Sequence, residues 1–144
     1  MHILLDEDVP IQVLEVLCHV LLGHHVEHVS NLGWKSKSDT SLYRDARAAG
    51  YEMIVTNDQN QLRNPDITRA IKKSQMHWVS YRQRHDGKKG LAVAVASIIA
   101  AMPDIVEAAG QVGSQRLFEA VGISPNQRFK VTDPRTEPPA YWPR

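Results

Sequence analysis

The chain has 144 residues, enough for one domain with a real core and too few for two comfortable ones. Its 42% hydrophobic and 23% charged residues exclude a disordered, collagen-like or disulfide-scaffolded protein. The formal charge of +1 identifies no partner, because acids and bases are segregated: Asp6, Glu7 and Asp8 stand together, whereas Arg82, Arg84, Lys88 and Lys89 share their stretch with Asp86 alone.

Residues His2 to Leu5 read as a short strand that ends abruptly in acids, followed by Pro10 in the first turn of a helix over Ile11 to Leu22. Cys18, the single cysteine, is expected as a buried small hydrophobe in that helix, in a reducing cytoplasm. Gly23 stops the helix, His24 to Val29 forms a second strand, and a polar loop from Ser30 to Ser38 leads into a helix over Thr40 to Ala49. Gly50 sits where that helix needs a left-handed residue. Glu52 to Thr56 is the third strand, closed by the turn residues Asn57 and Asp58. Asn64 and Pro65 open a third helix, and Met76 to Tyr81 is a fourth strand. After a basic loop, Arg82 to Gly90, an alanine-rich helix starts at Leu91, breaks or kinks at Pro103 and reaches Val121. Phe129 to Val131 adds a late strand, so residues 1–132 read as one domain and 133–144, with their prolines, Tyr141 and Trp142, as an extended arm. The N-terminus lacks the basic start and apolar run of a signal peptide, and Leu91 to Met102 is too short to span a bilayer, so no membrane partner is expected.

Strands alternating with helices imply βαβ units, hence an α/β fold with a mainly parallel sheet and helices on both faces. Ligands in such sheets bind beyond the carboxyl ends of the strands. That rule gathers Asp6, Asp8 and Asp58, with the basic loop after Tyr81, at one edge. Clustered carboxylates repel one another unless a cation joins them, and a hard divalent ion with oxygen ligands suits phosphodiester hydrolysis. The plainer reading makes Asp6 and Asp58 turn-shaping residues and Asp39 a helix-capping or first-turn acid.

Leu4-Leu5-Asp6-Glu7-Asp8-Val9-Pro10, Gly23-His24-His25-Val26 with Leu32-Gly33-Trp34, Ser38-Asp39 before a helix, and Val55-Thr56-Asn57-Asp58 together resemble the PIN-like domains related to type II toxins. The resemblance covers about the first 80 residues, with its motifs in order. It implies a three-layer α/β/α domain of strand order 3-2-1-4-5, a Mg²⁺- or Mn²⁺-dependent endoribonuclease site built from Asp6, Asp39 and Asp58, and a cognate antitoxin. It departs at Asn60, where relatives often carry a further acid. Asn60 can offer a carbonyl oxygen to the metal or its waters, and Asp8 can restore the missing charge.

Lys35, Lys37, Arg82, Arg84, Lys88 and Lys89 are the candidate RNA contacts, with Tyr81 or Trp34 stacking on a base. A solvated loop is the plain alternative. His19, His24, His25 and His28 are crowded, but alternation along a strand splits them between faces, so partly exposed histidines are expected rather than zinc. Two other functions fit the acids: a receiver-like phosphoacceptor domain with Asp58 as acceptor, whose lysine would have to be Lys130, and a PIN-like module that binds RNA or protein without cutting. The apolar arm packs on its own domain or crosses to a second copy in a homodimer.

Overall fold

Short apolar runs become central strands here because helices shield them on both sides. The computed structural model describes all residues, Met1–Arg144. Strand β1 (His2–Leu5) and strand β3 (Met53–Thr56) are parallel neighbours, with Ile3 opposite Met53 and Leu5 opposite Val55. Alternation sends Ile3, Leu5, Met53 and Val55 into one apolar core and Leu4 and Ile54 into another. Helices α1 (Gln12–Val20) and α4 (Gly87–Gly110) close the first core through Val13, Leu17, Ala94, Ile98 and Ile105. Helices α2 (Asp39–Ala48) and α3 (Pro65–Ser74) close the second through Leu42, Tyr43, Ala46 and Ile71. Gly50 takes the left-handed conformation after α2 (φ 90°), and the Asn64 side chain caps α3 by accepting from the Asp66 and Ile67 N–H groups.

The six-stranded sheet has the order β2-β1-β3-β4-β5-β6, with β2 at His25–His28, β4 at His77–Tyr81, β5 at Leu117–Ala120 and β6 at Phe129–Thr132. All neighbours are parallel except β5 and β6. This replaces the order 3-2-1-4-5 expected from the resemblance. The physical reason lies in polarity: β2 carries His25 and Glu27 on one face and belongs at an edge, whereas the wholly buried Met53–Thr56 run can occupy only an interior position.

Three other expectations change. Helix α4 begins before Leu91 and runs unbroken through Pro103, which sits on the exposed side where the carbonyl left unpaired can face solvent. By length and composition this helix of 24 residues is long and apolar enough to cross a membrane, although one face of it packs on the sheet. It ends at Gly110, and a fifth strand, Leu117–Ala120, takes the place of the helix expected to reach Val121. Cys18 is exposed, because Val13, Leu17 and Leu21 hold the core side of the segment.

The C-terminal residues lie along α3 of their own domain. Thr68 Oγ1 donates to the Tyr141 carbonyl (2.8 Å), Lys72 Nζ donates to the Pro143 carbonyl (2.6 Å), and Trp142 packs against the core beneath α2 and α3.

Candidate active site

The strand order reverses direction between β1 and β3, and the crevice beyond their carboxyl ends is where ligands enter such sheets. Asp6 follows β1 directly; its N–H continues the ladder to the Val55 carbonyl (2.9 Å), so the residue is held in place and only 6% exposed. Asp8 reaches across the crevice: its carboxylate accepts from Thr56 Oγ1 (3.1 Å) and the Asn57 N–H (3.0 Å). Thr56 Oγ1 also accepts from the Asp58 N–H (3.1 Å), and Asp58 Oδ1 accepts from the Asn60 N–H (2.8 Å). Asp58 therefore does shape the turn after β3, as the plainer reading held. The acid-bearing loop is pinned from β2 by His28. Ser30 N–H donates to its Nδ1 (3.1 Å), so by network Nε2–H donates to the Val9 carbonyl (2.7 Å). His28 is buried, not partly exposed as expected.

Asp39 is the first residue of α2, with Ser38 as the cap through its Oγ, which accepts from Ser41 N–H. The first turn of α2 faces the crevice through a residue that no motif signals. Gln61 is 2% exposed; its Oε1 accepts from the Tyr43 hydroxyl (2.6 Å) and Trp78 Nε1 (3.2 Å). Two donors on one oxygen fix the amide orientation and turn Nε2 toward Asp6 Oδ2 (3.4 Å) and Asp39 Oδ1 (3.5 Å). A glutamine in a polar turn looks like surface in sequence. Its only clue is position, one residue before Leu62, on the inner side of the 3-10 turn Gln59–Arg63.

Charge is left uncompensated here. None of Asp6, Glu7, Asp8, Asp39 or Asp58 forms an ion pair, whereas Glu27, Asp45, Glu52, Asp66, Asp104 and Asp133 elsewhere each do. Burial raises the Asp6 carboxyl above the usual range, opposed by the Glu7 N–H and the Thr56 and Gln61 hydrogen bonds. Asp8, exposed as a residue but with its carboxyl desolvated over the sheet end, is pushed up to about 6; the Asn57 N–H opposes this and the charges of Asp6 and Asp58 add to it. Asp39 is raised by burial and then by Asp6, Asp58 and Glu7. The Tyr81 hydroxyl is buried without a partner, its phenol pushed up by burial and by the Asp8 charge. An all-oxygen donor set of mutually repelling carboxylates, with an orphaned hydroxyl near it, fits a hard divalent cation. No three of these carboxylates bring ligand oxygens within 4.8 Å of one another; the His, Cys, Asp or Glu side chains that meet that spacing as a group of three are His2, His25 and Glu27, at the other end of β1. An ion shared by these acids would have to be held in part through waters, which Mg²⁺ keeps readily.

Of the basic residues expected at this edge, Arg82 is beside it. Its Nε donates to Gln59 Oε1 (2.8 Å), and Gln59 Nε2 donates to Glu119 Oε1 (3.0 Å). Arg82 lines a groove of about 1000 Å³ together with Asp58, Asn60, Arg63, Lys130 and Tyr141. Asn60 is exposed in that groove. Lys37 is taken by Asp45 (2.7 Å) and lies over the Trp34 ring, and Lys88 lines a separate hollow beside α1. Lys35, Arg84 and Lys89 are exposed outside the groove. Gly90 lets the basic loop close onto α4, since a Cβ there would collide with the His85 carbonyl. Tyr81 is fully buried and stacks on nothing from solvent; Tyr141, 51% exposed in the groove, is the accessible aromatic. Arg63, Lys130 and Tyr141 escape sequence reasoning because they enter the groove from three distant segments.

Compared with the models of known protein families, with characterised proteins and with solved structures, the chain matches none.

Proposed function

We propose that the chain is a Mg²⁺- or Mn²⁺-dependent endoribonuclease of PIN-like type, acting in the cytoplasm as the toxin of a type II pair and held in check by a cognate antitoxin. The observation that carries this reading is the set of carboxylates at the strand-order reversal, raised by burial and mutual charge and paired with no cation. Helices covering both faces of the sheet support the three-layer α/β/α arrangement.

Asp6, Asp39 and Asp58 would hold the ion, with Asp8 supplying the charge that Asn60 lacks. When bound, the ion lowers the pKa of a water and clamps a phosphate oxygen. The chain's own residues do the rest. Gln61 sets the spacing of Asp6 and Asp39 from behind. Asp8, raised to about 6 with no ion present, would be drawn into its ionised form by the cation and so add to the negative charge that holds it. Arg82, Arg63 and Lys130 offer charge to an RNA backbone along the groove, and Tyr141 offers a ring on which an unpaired base can stack.

The strand order favours a second reading, since β2-β1-β3-β4-β5 is the order of receiver domains and not the 3-2-1-4-5 that the PIN-like resemblance implied. Against it, β5 ends without a lysine, and Lys130 stands on β6 opposite Glu119. Asn60 favours a third, a module that binds RNA without cutting. End-labelled single-stranded RNA incubated with the chain and Mn²⁺ separates them. Cleavage that EDTA stops supports the nuclease; tight RNA binding without cleavage supports the binding module. Mass gain at Asp58 from a small phosphodonor supports the receiver.

A further inference from the structure

A different constellation occupies the far end of the sheet. β1 and β2 pair in parallel with His2 opposite His25 and Leu4 opposite Glu27. Alternation turns Ile3, Leu5 and Val26 into the core under α1 and α4, which leaves His2, His25 and Glu27 together on the opposite face. Because β2 is the sheet edge, that face is open there: His25 is exposed, and His2 and Glu27 are half-buried. The two imidazoles converge on one carboxylate. His2 Nε2 lies 3.8 Å from Glu27 Oε2, and His25 Nε2 lies 3.7 Å from Glu27 Oε1. The carboxylate is itself held, since the Tyr51 hydroxyl donates to Glu27 Oε2 while the Tyr51 ring stacks on His2 with centroids 4.8 Å apart.

We propose that His2, His25 and Glu27 form a binding site for a Zn²⁺-class transition ion, with water in the fourth position, that clamps the edge strand β2 onto β1. Two imidazole nitrogens and one carboxylate oxygen are the borderline donors such an ion prefers, in contrast to the all-oxygen acids at the other end of the strands. Tetrahedral ligands at zinc stand about 3.3 Å apart. The imidazoles lie 3.8 and 3.7 Å from different oxygens of Glu27, and the ligand atoms of the three residues all lie within 4.8 Å of one another, so the set must close by up to about 1.5 Å to share one ion. His25 can make that movement, its side chain being 66% exposed. Tyr51 acts as a positioning residue, orienting the carboxylate as hydrogen-bonding groups behind metal ligands commonly do. A set of weak surface ion pairs is the alternative, and it gives the two imidazoles no reason to prefer a metal. An ion here would also tie down a sheet edge otherwise open to pairing with another chain. The proposal is independent of the nuclease reading.

Zn²⁺ titration of the full chain, with Mg²⁺ in excess to occupy the acidic end, tests it. Wild type takes up one Zn²⁺ per chain and melts at a higher temperature with it. His25→Gln lowers the affinity by more than about a hundredfold and Tyr51→Phe by about tenfold, whereas Asp6→Asn leaves it unchanged. Co²⁺ added to the wild type gives the intense visible bands of a tetrahedral site. Undiminished Zn²⁺ affinity in a folded His25→Gln variant, an absence of Zn²⁺ uptake by the wild type, or Co²⁺ spectra of an octahedral aquo ion would each overturn the proposal.

Discussion

Replacing Gln61 tests the framework behind the acids. In Gln61→Leu the Tyr43 hydroxyl and Trp78 Nε1 lose their shared acceptor in a site where Tyr43 is 0% and Trp78 3% exposed. Each buried donor left unpaired costs about 1–3 kcal/mol, which sums to about 2–6 kcal/mol. Gains from the apolar side chain and from relaxation bring the expected loss to about 3 kcal/mol. For a chain of this size that is a fall in Tm of about 6–12 °C. Gln61→Glu separates support from charge. It keeps oxygens for Tyr43 and Trp78 but replaces the amide donor, 3.4 Å from Asp6 and 3.5 Å from Asp39, by a further carboxylate oxygen. In EDTA it should melt well below wild type, and Mn²⁺ should restore much of the loss because the added charge joins the donor set. Circular-dichroism melts with EDTA or Mn²⁺ read both effects. A Gln61→Leu variant within about 0.5 kcal/mol of wild type, or a Gln61→Glu deficit indifferent to Mn²⁺, would refute the reasoning.

Asp8 makes stability depend on pH. Its folded value of about 6 lies above the ordinary 3.8, so the folded state holds the proton longer and loses stability as pH rises between these values. In EDTA, Asp8→Asn should therefore raise Tm at about pH 8 and change it little at about pH 4; equal shifts at both would contradict the assignment. Trp142→Ala removes a half-buried ring from the core beneath α2 and α3 and should cost about 1–3 kcal/mol by urea denaturation, with unchanged stability excluding the strap as a packing element. Arg82→Ala together with Lys130→Ala should weaken single-stranded RNA binding and flatten its salt dependence without lowering Tm, whereas an unchanged salt slope would remove the groove from the substrate path.

Where the sequence was informative, local chemistry and geometry coincided. Asn64-Pro65 opens a helix because a side-chain acceptor and a fixed φ suit that position wherever it occurs, and Gly50 ends one because a left-handed residue is required. The acids at the ends of β1 and β3 were legible for the same reason: the βαβ rule assigns an edge to every strand end. Pairing order was not legible from motif order, yet the polar His25-Val26-Glu27-His28 run marks an edge strand and the Met53–Thr56 run an interior one. Helix α4 hid two facts, a proline tolerated on an exposed face and a short strand after Gly110 too brief for periodicity to register. Gln61, and the groove residues Arg63, Lys130 and Tyr141, depend on tertiary approach of distant segments and leave no linear trace.

The rate at which the purified chain cleaves single-stranded RNA in Mn²⁺, compared with that of a folded Asp6→Asn variant, bears on the central claim most directly. Asp6 is buried at the strand-order reversal and forms no ion pair, so the amide should preserve or slightly raise stability in EDTA while removing a charge the cation needs. The expected result is metal-dependent cleavage by wild type, abolished by EDTA and at least about a hundredfold slower in Asp6→Asn. Equal rates in the two proteins, or cleavage that persists in EDTA, would contradict the account.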